Sequence, residues 1–413
     1  MRCGLSGKNK FFESLFMKVI RYIFVILPLA VLLGSCIAED YEGPDPNLPT
    51  RTIIVYLGGD NNLSDETARK VEALRQGWTY TGNKCLIYQD SRDGARLLRL
   101  RGGCRVSPTP YVETLREYGA ENSASPETFA RVLREVADEY PADSYGLIFF
   151  SHASGWLPAG TLQKPRIQPF SIGVDDADAE RAEMEIADFA AAIPDGMFDF
   201  IFFETCLTAG VEVAFELREK TQYMLASSAE IVSPGFTPVY PSALRLLCNT
   251  AVDTRTALEA FGEAYMDYVA ANYTGARRSA TLSLIDMREI SPLAVRMQAA
   301  LHFHSVGVFD LSRLQYFDRP GSYGDYPALP RFFDLDDWAE TIAAPEEYAA
   351  FRSQLDRTVV WKAATGTFMS GQNGFTIRRH SGLTTYIEQD AFPELNEAYR
   401  RSAWYRAIWG GGK

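Results

Sequence analysis

Short apolar runs alternate with segments of helical spacing from residue 52 to residue 286 of the chain. A continuous apolar run bounded by polar residues is typical of a strand that is buried on both faces of a sheet. Six such strands are predicted, at Thr52–Gly59, Cys85–Asp90, Tyr145–His152, Phe198–Glu204, Tyr223–Ser228 and Ala280–Met287. Because helices separate the strands, we expect an α/β fold whose mostly parallel central sheet is flanked by helices on both faces.

Apolar residues recur at intervals of three and four between these strands, which is typical of amphipathic helices. The predicted helices span residues 64–76, 125–141, 184–194 and 208–220. Ser64 is the predicted cap of the first of them, because its hydroxyl group can bond the free NH groups at a helix start. Ser125-Pro126 opens the second. The run "LLRLRGG" predicts one strand of a small hairpin arm, whereas residues 290–410 give no clear pattern of elements.

The composition is that of an ordinary globular protein. Of the 413 residues, 46% are apolar and 23% are charged, which allows at least one large core and predicts one or two domains. The formal net charge of −12 argues against nucleic acid as a partner, because a polyanion is repelled on average. The same charge is compatible with a cationic substrate.

The N-terminal segment, residues 1–36, contains an export signal. The run "MKVIRYIFVILPLAVLLGSC" starts at Met17, a candidate for the true start, with two basic residues before an apolar core that ends near Cys36. That core is too short for a good membrane span and is typical of a secretory signal. Its ending, Leu-Gly-Ser-Cys, resembles a bacterial lipobox, which implies that Cys36 is lipidated. An ordinary signal peptide with an incidental cysteine is the alternative.

Residues 37–50 are acidic and contain prolines, which is typical of a flexible tether. An acidic stretch after the lipidated cysteine resembles the surface-export signals of some Gram-negative lipoproteins. We therefore expect a lipid-anchored protein of the bacterial cell envelope, with the outer-membrane surface as one candidate location.

Cysteines and histidines are few and scattered. The six cysteines include no CxxC pair, which argues against a zinc site or a dense disulfide framework. Cys85 and Cys104 are a candidate disulfide pair in an oxidising compartment, although their spacing does not decide it. Histidine chemistry also has few candidates, namely His152, His302, His304 and His380.

Two reactive side chains follow two of the apolar runs. His152 ends the third predicted strand, and Cys206 lies two residues beyond the fourth. Ligands of parallel sheets bind beyond the carboxyl ends of the strands, and neighbouring strands lie about 5 Å apart. If these two strands are adjacent, the imidazole and a helix starting near Thr208 would both favour the thiolate of Cys206. The alternative is a small core cysteine and a structural histidine, and spacing alone leaves the two interpretations about even.

Five segments follow one another in a characteristic order: "IIVYLGGDNNLSD", "LIFFSHASGW", "FDFIFFETCLTAGVEVAFEL", "ASSAEIVSPGFTPVY" and a C-terminal part with "SGLTTYI" and "WYRAIWG". Together they resemble the clostripain-like cysteine peptidases, relatives of caspases, gingipains and legumain. The second segment resembles the catalytic histidine motif of that family, and the third resembles its nucleophile motif. The resemblance implies a caspase-like catalytic domain at residues 51–289, with residues 290–413 packed on it.

By that resemblance Cys206 is the nucleophile and His152 is the general base. The peptide NH groups of Ala153 and Cys206 would form the oxyanion hole, which stabilises the charge of the tetrahedral intermediate. Members of the family cleave after Arg or Lys, and the acidic residue two positions before the nucleophile, here Glu204, would bind the basic side chain. Glu230 is a second candidate for this pocket. A solvated strand end is the alternative role of Glu204.

The chain departs from the family pattern at two positions. Ala153 replaces the glycine that usually follows the histidine and limits the available φ, and Glu204 replaces the usual Asp. These departures leave open a function of another class, a surface lipoprotein that binds a peptide or glycan without turnover. A transpeptidase or a self-processing protein with the same dyad is a third interpretation.

The resemblance implies no obligatory cofactor and no metal. Calcium dependence occurs in some relatives, and Asp175, Asp176 and Asp178 could supply oxygen ligands, although a solvated acidic loop is the simpler interpretation. Internal cleavage after a basic residue activates several members of the family. Lys164 and Arg166 are the candidate cleavage sites in this chain.

Overall fold

The computed structural model describes residues 48–104, 107–161, 172–175, 182–302, 309–322 and 327–410. The predicted signal peptide, its lipidation site and most of the tether lie outside the described residues. So do five residues singled out above, Lys164, Arg166, Asp176, Asp178 and His304. Within the described part, no helix combines the length and the apolar character that crossing a membrane requires.

Nine strands form one central sheet, and the other described strands form three small two-stranded sheets. The strands are β1 (Arg51–Gly58), β2 (Lys84–Asp90), β3 (Ala95–Arg101), β4 (Tyr111–Gly119), β5 (Ser144–Phe150), β6 (Ile172–Asp175), β7 (Ala182–Met184), β8 (Phe198–Glu204), β9 (Thr221–Ala226), β10 (Thr281–Asp286), β11 (Phe333–Asp334), β12 (Val359–Ala364), β13 (Thr367–Phe368), β14 (Phe375–Thr376) and β15 (Thr384–Thr385). The order across the central sheet is β12-β10-β9-β8-β5-β1-β2-β3-β4. The inner strands from β9 to β2 run parallel, and antiparallel pairs extend the sheet at both edges.

Helices cover both faces of this sheet. They are α1 (Ser64–Gly77), α2 (Pro126–Glu139), α3 (Ile186–Ala191), α4 (Val211–Glu216), α5 (Tyr240–Leu247), α6 (Thr254–Asn272), α7 (Ile290–His302), α8 (Leu335–Ile342), α9 (Pro345–Thr358), α10 (Pro393–Arg401) and α11 (Ala403–Trp409). Along β1, Ile53 and Val55 belong to one apolar core, and Ile54 and Tyr56 belong to the other. Alternate side chains of a strand point to opposite faces, so each face of the sheet buries its own core. The predicted α/β fold with a mostly parallel sheet is confirmed.

The two helices that begin near a serine differ in how their first turn is capped. Leu63 occupies the N-cap position of α1 and no side chain caps this end, so the predicted cap at Ser64 is wrong. At α2 the hydroxyl of Ser125 accepts hydrogen bonds from the NH groups of Glu127 and Thr128, and Ser125 is the N-cap residue. A serine near a helix start therefore caps the helix only when it occupies the N-cap position itself.

The C-terminal region contributes to the central sheet and to the segment after Cys206. β12 pairs with β10, so the sheet crosses the domain boundary that the sequence predicts at residue 289. The NH of Thr384 donates to the carbonyl oxygen of Ala209 over 2.9 Å. The buried carboxyl of Glu212 accepts a hydrogen bond from the NH of Tyr386, also over 2.9 Å. The C-terminal region therefore packs directly on the chain that follows the cysteine.

Candidate active site

His152 and Cys206 line one cavity at the carboxyl end of the parallel strands. β5 and β8 are adjacent, and Phe150 at the end of β5 pairs with Glu204 at the end of β8. Each strand therefore delivers its reactive side chain two residues later, at the same edge of the sheet. The cavity has a volume of about 260 Å³, and Glu230 lies in its wall. The two strands are therefore the neighbours that a Cys–His arrangement at this edge requires.

A tight turn places Cys206 at the tip of the chain after β8. Leu207 has a φ of 58°, a left-handed conformation that residues with a side chain rarely adopt. Its NH donates to the carbonyl oxygen of Ala229 over 3.0 Å, which fixes the turn against the chain after β9. Gly155 packs on the other side, where a Cβ would lie 2.4 Å from the Leu207 carbonyl oxygen. Close backbone contacts thus hold the cysteine in place, and they require a glycine at position 155.

The thiol of Cys206 is protonated near neutral pH. Its side chain is partly buried, and its sulfur accepts a hydrogen bond from the NH of Ile231 at 3.4 Å. Burial and then the charge of Glu230 raise the pKa of the thiol to about 12, although the Ile231 NH and Arg319 act in the opposite direction. Attack by this sulfur on a carbonyl group therefore needs a base that removes the thiol proton.

The helix that was expected to favour the thiolate lies farther along the chain. α4 begins at Val211, after Gly210, and not near Thr208. The predicted start of this helix near Thr208 is therefore wrong by three residues, because the left-handed Leu207 and the residues after it do not continue as a helix. An effect of the helix N-terminus on the pKa of Cys206 stays a prediction.

Alkylation of Cys206 by iodoacetamide is expected to accelerate about tenfold per pH unit from pH 7 to pH 10. The thiolate is the reactive form, and its fraction keeps growing while the pH stays below the thiol pKa, here about 12. Labelling rates measured by mass spectrometry test this, with the partly buried thiol of Cys104 as an internal reference. A plateau below pH 8 would contradict it and would indicate a stable thiolate–imidazolium pair.

Asn62 orients the ring of His152. Nε2 of the buried His152 lies 2.7 Å from Oδ1 of Asn62. An amide oxygen only accepts hydrogen bonds, so Nε2 carries a proton and Nδ1 is the basic nitrogen of the neutral ring. Sequence reasoning missed this role, although "DNNL" at residues 60–63 was one of the motifs that it recognised. Asn62 therefore determines which nitrogen of His152 can accept a proton.

Ala153 has an ordinary backbone conformation despite replacing a glycine. Among the described residues, positive φ values outside glycine occur only at Leu207, Met369 and Asn373. Ala153 is fully buried and needs no left-handed conformation, so its Cβ is tolerated. The departure from the family pattern at this position therefore leaves the peptide NH in a conformation that any residue can adopt.

Glu204 also lines the cavity, and its carboxylate is engaged by the protein itself. Its Oε1 accepts hydrogen bonds from Nζ of Lys70 at 2.5 Å and from the NH of Phe236 at 2.8 Å. Its Oε2 accepts one from the hydroxyl of Tyr240 at 2.7 Å. The side chains of Lys70 and Glu204 are 0% and 1% exposed, so the alternative of a solvated strand end is wrong. A role of Glu204 in substrate binding stays a prediction.

Lys70 is a buried cation that sequence reasoning missed. It lies on α1, and its Nζ sits 4.4 Å from the ring centroid of Phe150 and donates to the hydroxyl of Thr237 at 2.8 Å. The aromatic ring, the hydroxyl and the carboxylate of Glu204 together offset the loss of hydration of the ammonium group. Local sequence does not distinguish such a lysine from a solvated one, because its partners come from distant segments.

Glu230 is paired with Arg319, which comes from the C-terminal region. Nε and Nη2 of Arg319 donate to the two carboxylate oxygens of Glu230 at 3.0 and 2.7 Å, a two-point geometry. Their side chains are 13% and 11% exposed, and both residues line the cavity that contains Cys206. The guanidinium of Arg319 is thus already bound to Glu230, one of the two carboxylates predicted to bind the substrate. No sequence motif had singled out Arg319.

All four cysteines in the described part of the chain carry free thiols. Cys85 is fully buried within β2, whereas Cys104 lies in the partly exposed loop after β3. The disulfide considered for this pair is therefore absent, because the strand holds one thiol inside the core. Cys206 is the described cysteine that lines the cavity with His152.

Comparison with known proteins shows the family to which this chain belongs. The model of the Clostripain family matches residues 55–401 of the chain. Clostripain of Hathewaya histolytica is 22% identical over 435 aligned residues, which cover 86% of this chain and 79% of that protein.

Two solved structures share the fold over nearly their whole length. An inactive zymogen C11 protease from Parabacteroides distasonis has a TM-score of 0.74 and 27% identity, covering 88% of this chain and 99% of that chain. A secreted C11 cysteine protease from Bacteroides thetaiotaomicron, in complex with an irreversible peptide inhibitor, has a TM-score of 0.73 and 24% identity, covering 87% and 99%. Because the family model matches most of this chain, the chain belongs to the clostripain family and is a cysteine endopeptidase.

Proposed function

We propose that this protein is an exported, lipid-anchored cysteine endopeptidase that cleaves after Arg or Lys by means of Cys206 and His152. The observation that carries the proposal is the delivery of these two side chains into one cavity by adjacent parallel strands. A thiol and an imidazole at such a site are the groups that acyl transfer through a thioester requires.

The chemistry proceeds in two stages. As Sγ of Cys206 attacks the scissile carbonyl carbon, Nδ1 of His152 accepts the thiol proton, and the peptide NH groups of Ala153 and Cys206 stabilise the oxyanion. The tetrahedral intermediate collapses when the leaving amine takes the proton from the imidazolium, which breaks the peptide bond and forms the thioester. A water molecule gives a proton to His152 and attacks the thioester carbon, and the C–S bond then breaks. The sulfur takes the proton back from the imidazolium, which restores the thiol, and the carboxylic acid product ionises on release.

Glu230 is the carboxylate that we assign to the basic side chain of the substrate. Its two-point contact with Arg319 supports this, because the same geometry suits a substrate guanidinium. Both oxygens of Glu204 already accept hydrogen bonds from buried donors, so we assign to Glu204 the floor of the pocket. A substrate arginine would compete with Arg319 for Glu230.

The export and the anchor rest on the N-terminal segment. The basic start, the apolar core and the lipobox-like ending at Cys36 support secretion with lipidation. The similar protein from Bacteroides thetaiotaomicron is described as secreted, which agrees with export. Metabolic labelling with an alkynyl palmitate tests the anchor: we expect label in the wild-type protein and none after Cys36→Ser.

Hydrolysis of fluorogenic peptides that end in Arg, Lys, Gln or Asp tests the specificity. Glu230→Gln is expected to lower kcat/KM for the Arg substrate about 10- to 100-fold, because one charged hydrogen-bonding partner is lost. Glu263→Gln, an exposed carboxyl on α6, is the matched control and should change nothing. If the Glu230→Gln variant keeps its preference for Arg, Glu230 does not bind the basic side chain of the substrate.

Arg319→Gln is expected to act in the opposite direction on the same substrates. Removal of the internal guanidinium frees Glu230, so KM for the Arg substrate should fall several-fold while kcat stays similar. An increase of KM would instead mean that Arg319 holds Glu230 in its binding conformation. The two variants together show whether Arg319 competes with the substrate for Glu230 or holds Glu230 in its binding conformation.

A peptide-binding lipoprotein without turnover is the second candidate function. The ion pairs of Glu204 and Glu230 favour it, since each predicted substrate-binding carboxylate is already compensated within the protein. Wild-type protein that binds Arg peptides but hydrolyses none of the four substrates would support this candidate.

A further inference from the structure

The cavity that contains Cys206 has a third acidic side chain in its wall. The carboxyl groups of Glu66, Glu204 and Glu230 all line this cavity. Glu66 lies in the first turn of α1. The reaction and the specificity described above involve Glu204 and Glu230, whereas Glu66 has no role in either.

The three carboxylates differ in what compensates their charge. Nζ of Lys70 lies 2.5 Å from Glu204, and Nη2 of Arg319 lies 2.7 Å from Glu230. Among the described residues, no lysine, arginine or histidine forms an ion pair with Glu66. Two of the three negative charges are therefore neutralised within the protein, and the third, on Glu66, is open to a cation from outside.

Glu66 and Glu230 follow strands that lie on opposite sides of the reactive pair. Glu66 comes after β1, and Glu230 comes after β9. β5 and β8, the strands that precede His152 and Cys206, lie between β9 and β1 in the sheet. A peptide bound over Cys206 can therefore meet the two carboxylates with two different side chains.

One oxygen of Glu66 is available to a ligand. The residue is half-buried, and the hydroxyl of Ser233 donates to Oε1, whereas Oε2 has no hydrogen-bond partner among the described residues. A carboxylate oxygen accepts charge-assisted hydrogen bonds from an ammonium or a guanidinium group. Leu63 and Ile231 line the same cavity, and their apolar side chains suit the aliphatic stem of a lysine or an arginine.

We propose that Glu66 binds a second basic side chain of the substrate, adjacent to the Arg or Lys whose carbonyl group Cys206 attacks. The preferred substrates are then peptides with two neighbouring basic residues, whose approach the net charge of −12 favours. This inference rests on the proposed function, which places the first basic side chain at Glu230. Glu66 determines specificity and takes no part in the chemical steps.

Internally quenched peptides with one Arg at the cleavage site test the proposal. The residue before or after that Arg is Lys, Gln or Glu in otherwise identical peptides, and mass spectrometry of the products restricts the rates to cleavage after the Arg. At one of the two positions wild type should show a kcat/KM about 3- to 10-fold higher with Lys than with Gln. The ratio should fall at high salt, because a half-buried ion pair is partly screened.

Variants of α1 assign this preference to one carboxylate. Glu66→Gln should cleave the Lys and Gln peptides equally well, and its amide oxygen still accepts the hydrogen bond from Ser233. Glu66→Lys should reverse the order and favour the Glu peptide. Asp65→Asn, an exposed carboxyl in the same turn that does not line the cavity, is the matched control and should keep the wild-type ratio.

Ser233→Ala shows whether Glu66 binds substrate or only supports the wall of the cavity. This variant removes the hydroxyl contact and keeps the carboxylate, so it should keep the preference for Lys. Loss of the preference in Ser233→Ala together with its retention in Glu66→Gln would overturn the proposal. Equal cleavage of the Lys and Gln peptides by wild type at both positions would overturn it too.

Binding to Cys206→Ala separates a failure of this inference from a failure of the proposed function. Calorimetry should give a lower Kd for the Lys peptide than for the Gln peptide, and Glu66→Gln in the same background should bind both alike. If wild type cleaves no peptide while this difference in Kd persists, the proposed function is rejected and the second basic site stands. If wild type cleaves the Arg peptides while neither the rates nor the Kd values depend on the neighbouring residue, the proposed function stands and the role of Glu66 is rejected.

Discussion

Replacing Cys206 by alanine is expected to abolish peptide hydrolysis, with kcat falling by at least about 10⁴-fold. Without the sulfur no thioester forms, and the remaining groups of the cavity only position the peptide and a water molecule. Initial rates with fluorogenic Arg and Lys peptides, at enzyme concentrations high enough to detect a residual rate, measure the effect. Binding of the same peptides should persist, because the proposed contact with Glu230 does not involve the thiol.

Cys104→Ala is the matched control for that experiment. Cys104 is also a partly buried free thiol, but it does not line the cavity, so its loss should leave kcat and KM unchanged. An arginine-based acyloxymethyl ketone should label wild type and Cys104→Ala at a single site and should not label Cys206→Ala. Substantial hydrolysis by Cys206→Ala, or labelling at another residue, would contradict the assignment of the nucleophile.

Local patterns were enough to predict the strands that form the site. Buried parallel strands are continuous apolar runs, so β1, β5 and β8 were placed within one or two residues of their observed ends. Cys206 and His152 followed from their positions just after two of those strands. The neighbourhood of β5 and β8 agrees with the alternation of strands and helices along the chain.

Long-range ion pairs could not be predicted in this way. Lys70 and Glu204 are 134 residues apart, and Arg319 and Glu230 are 89 apart, so no window of sequence contains both partners. A lysine on a helix with many polar residues is usually solvated, and only packing against Phe150 distinguishes this one. The resemblance to a family suggested the carboxylates, whereas their compensating cations are visible only in the folded chain.

The predicted helix at residues 208–220 shows a second limit. Apolar periodicity continues through Thr208, but the left-handed Leu207 and the contact of Thr384 with Ala209 hold the chain out of a helix until Val211. Tertiary contacts from the C-terminal region thus override a local preference.

Lys70→Met is expected to lower the free energy of unfolding by about 3–5 kcal/mol. The variant keeps the length of the side chain but leaves the carboxylate of Glu204 buried without its cation, at 1% exposure. Urea unfolding in the Cys206→Ala background, which avoids self-cleavage, measures the change. Lys220→Met is the matched control: its ion pair with Asp195 is on the surface, the carboxylate being 75% exposed, so its loss should change stability by at most about 1 kcal/mol.

Glu204→Gln in the Lys70→Met background distinguishes charge from packing. An amide can still accept a hydrogen bond from Tyr240 or the NH of Phe236 without carrying a buried charge, so the double variant should regain most of the lost stability. If it remains as unstable as Lys70→Met, the loss arises from the packing of the lysine against Phe150 and not from the unpaired carboxylate. If Lys70→Met resembles Lys220→Met, the charge of Glu204 is compensated by something other than Lys70, and this carboxylate again becomes a candidate to meet a basic substrate.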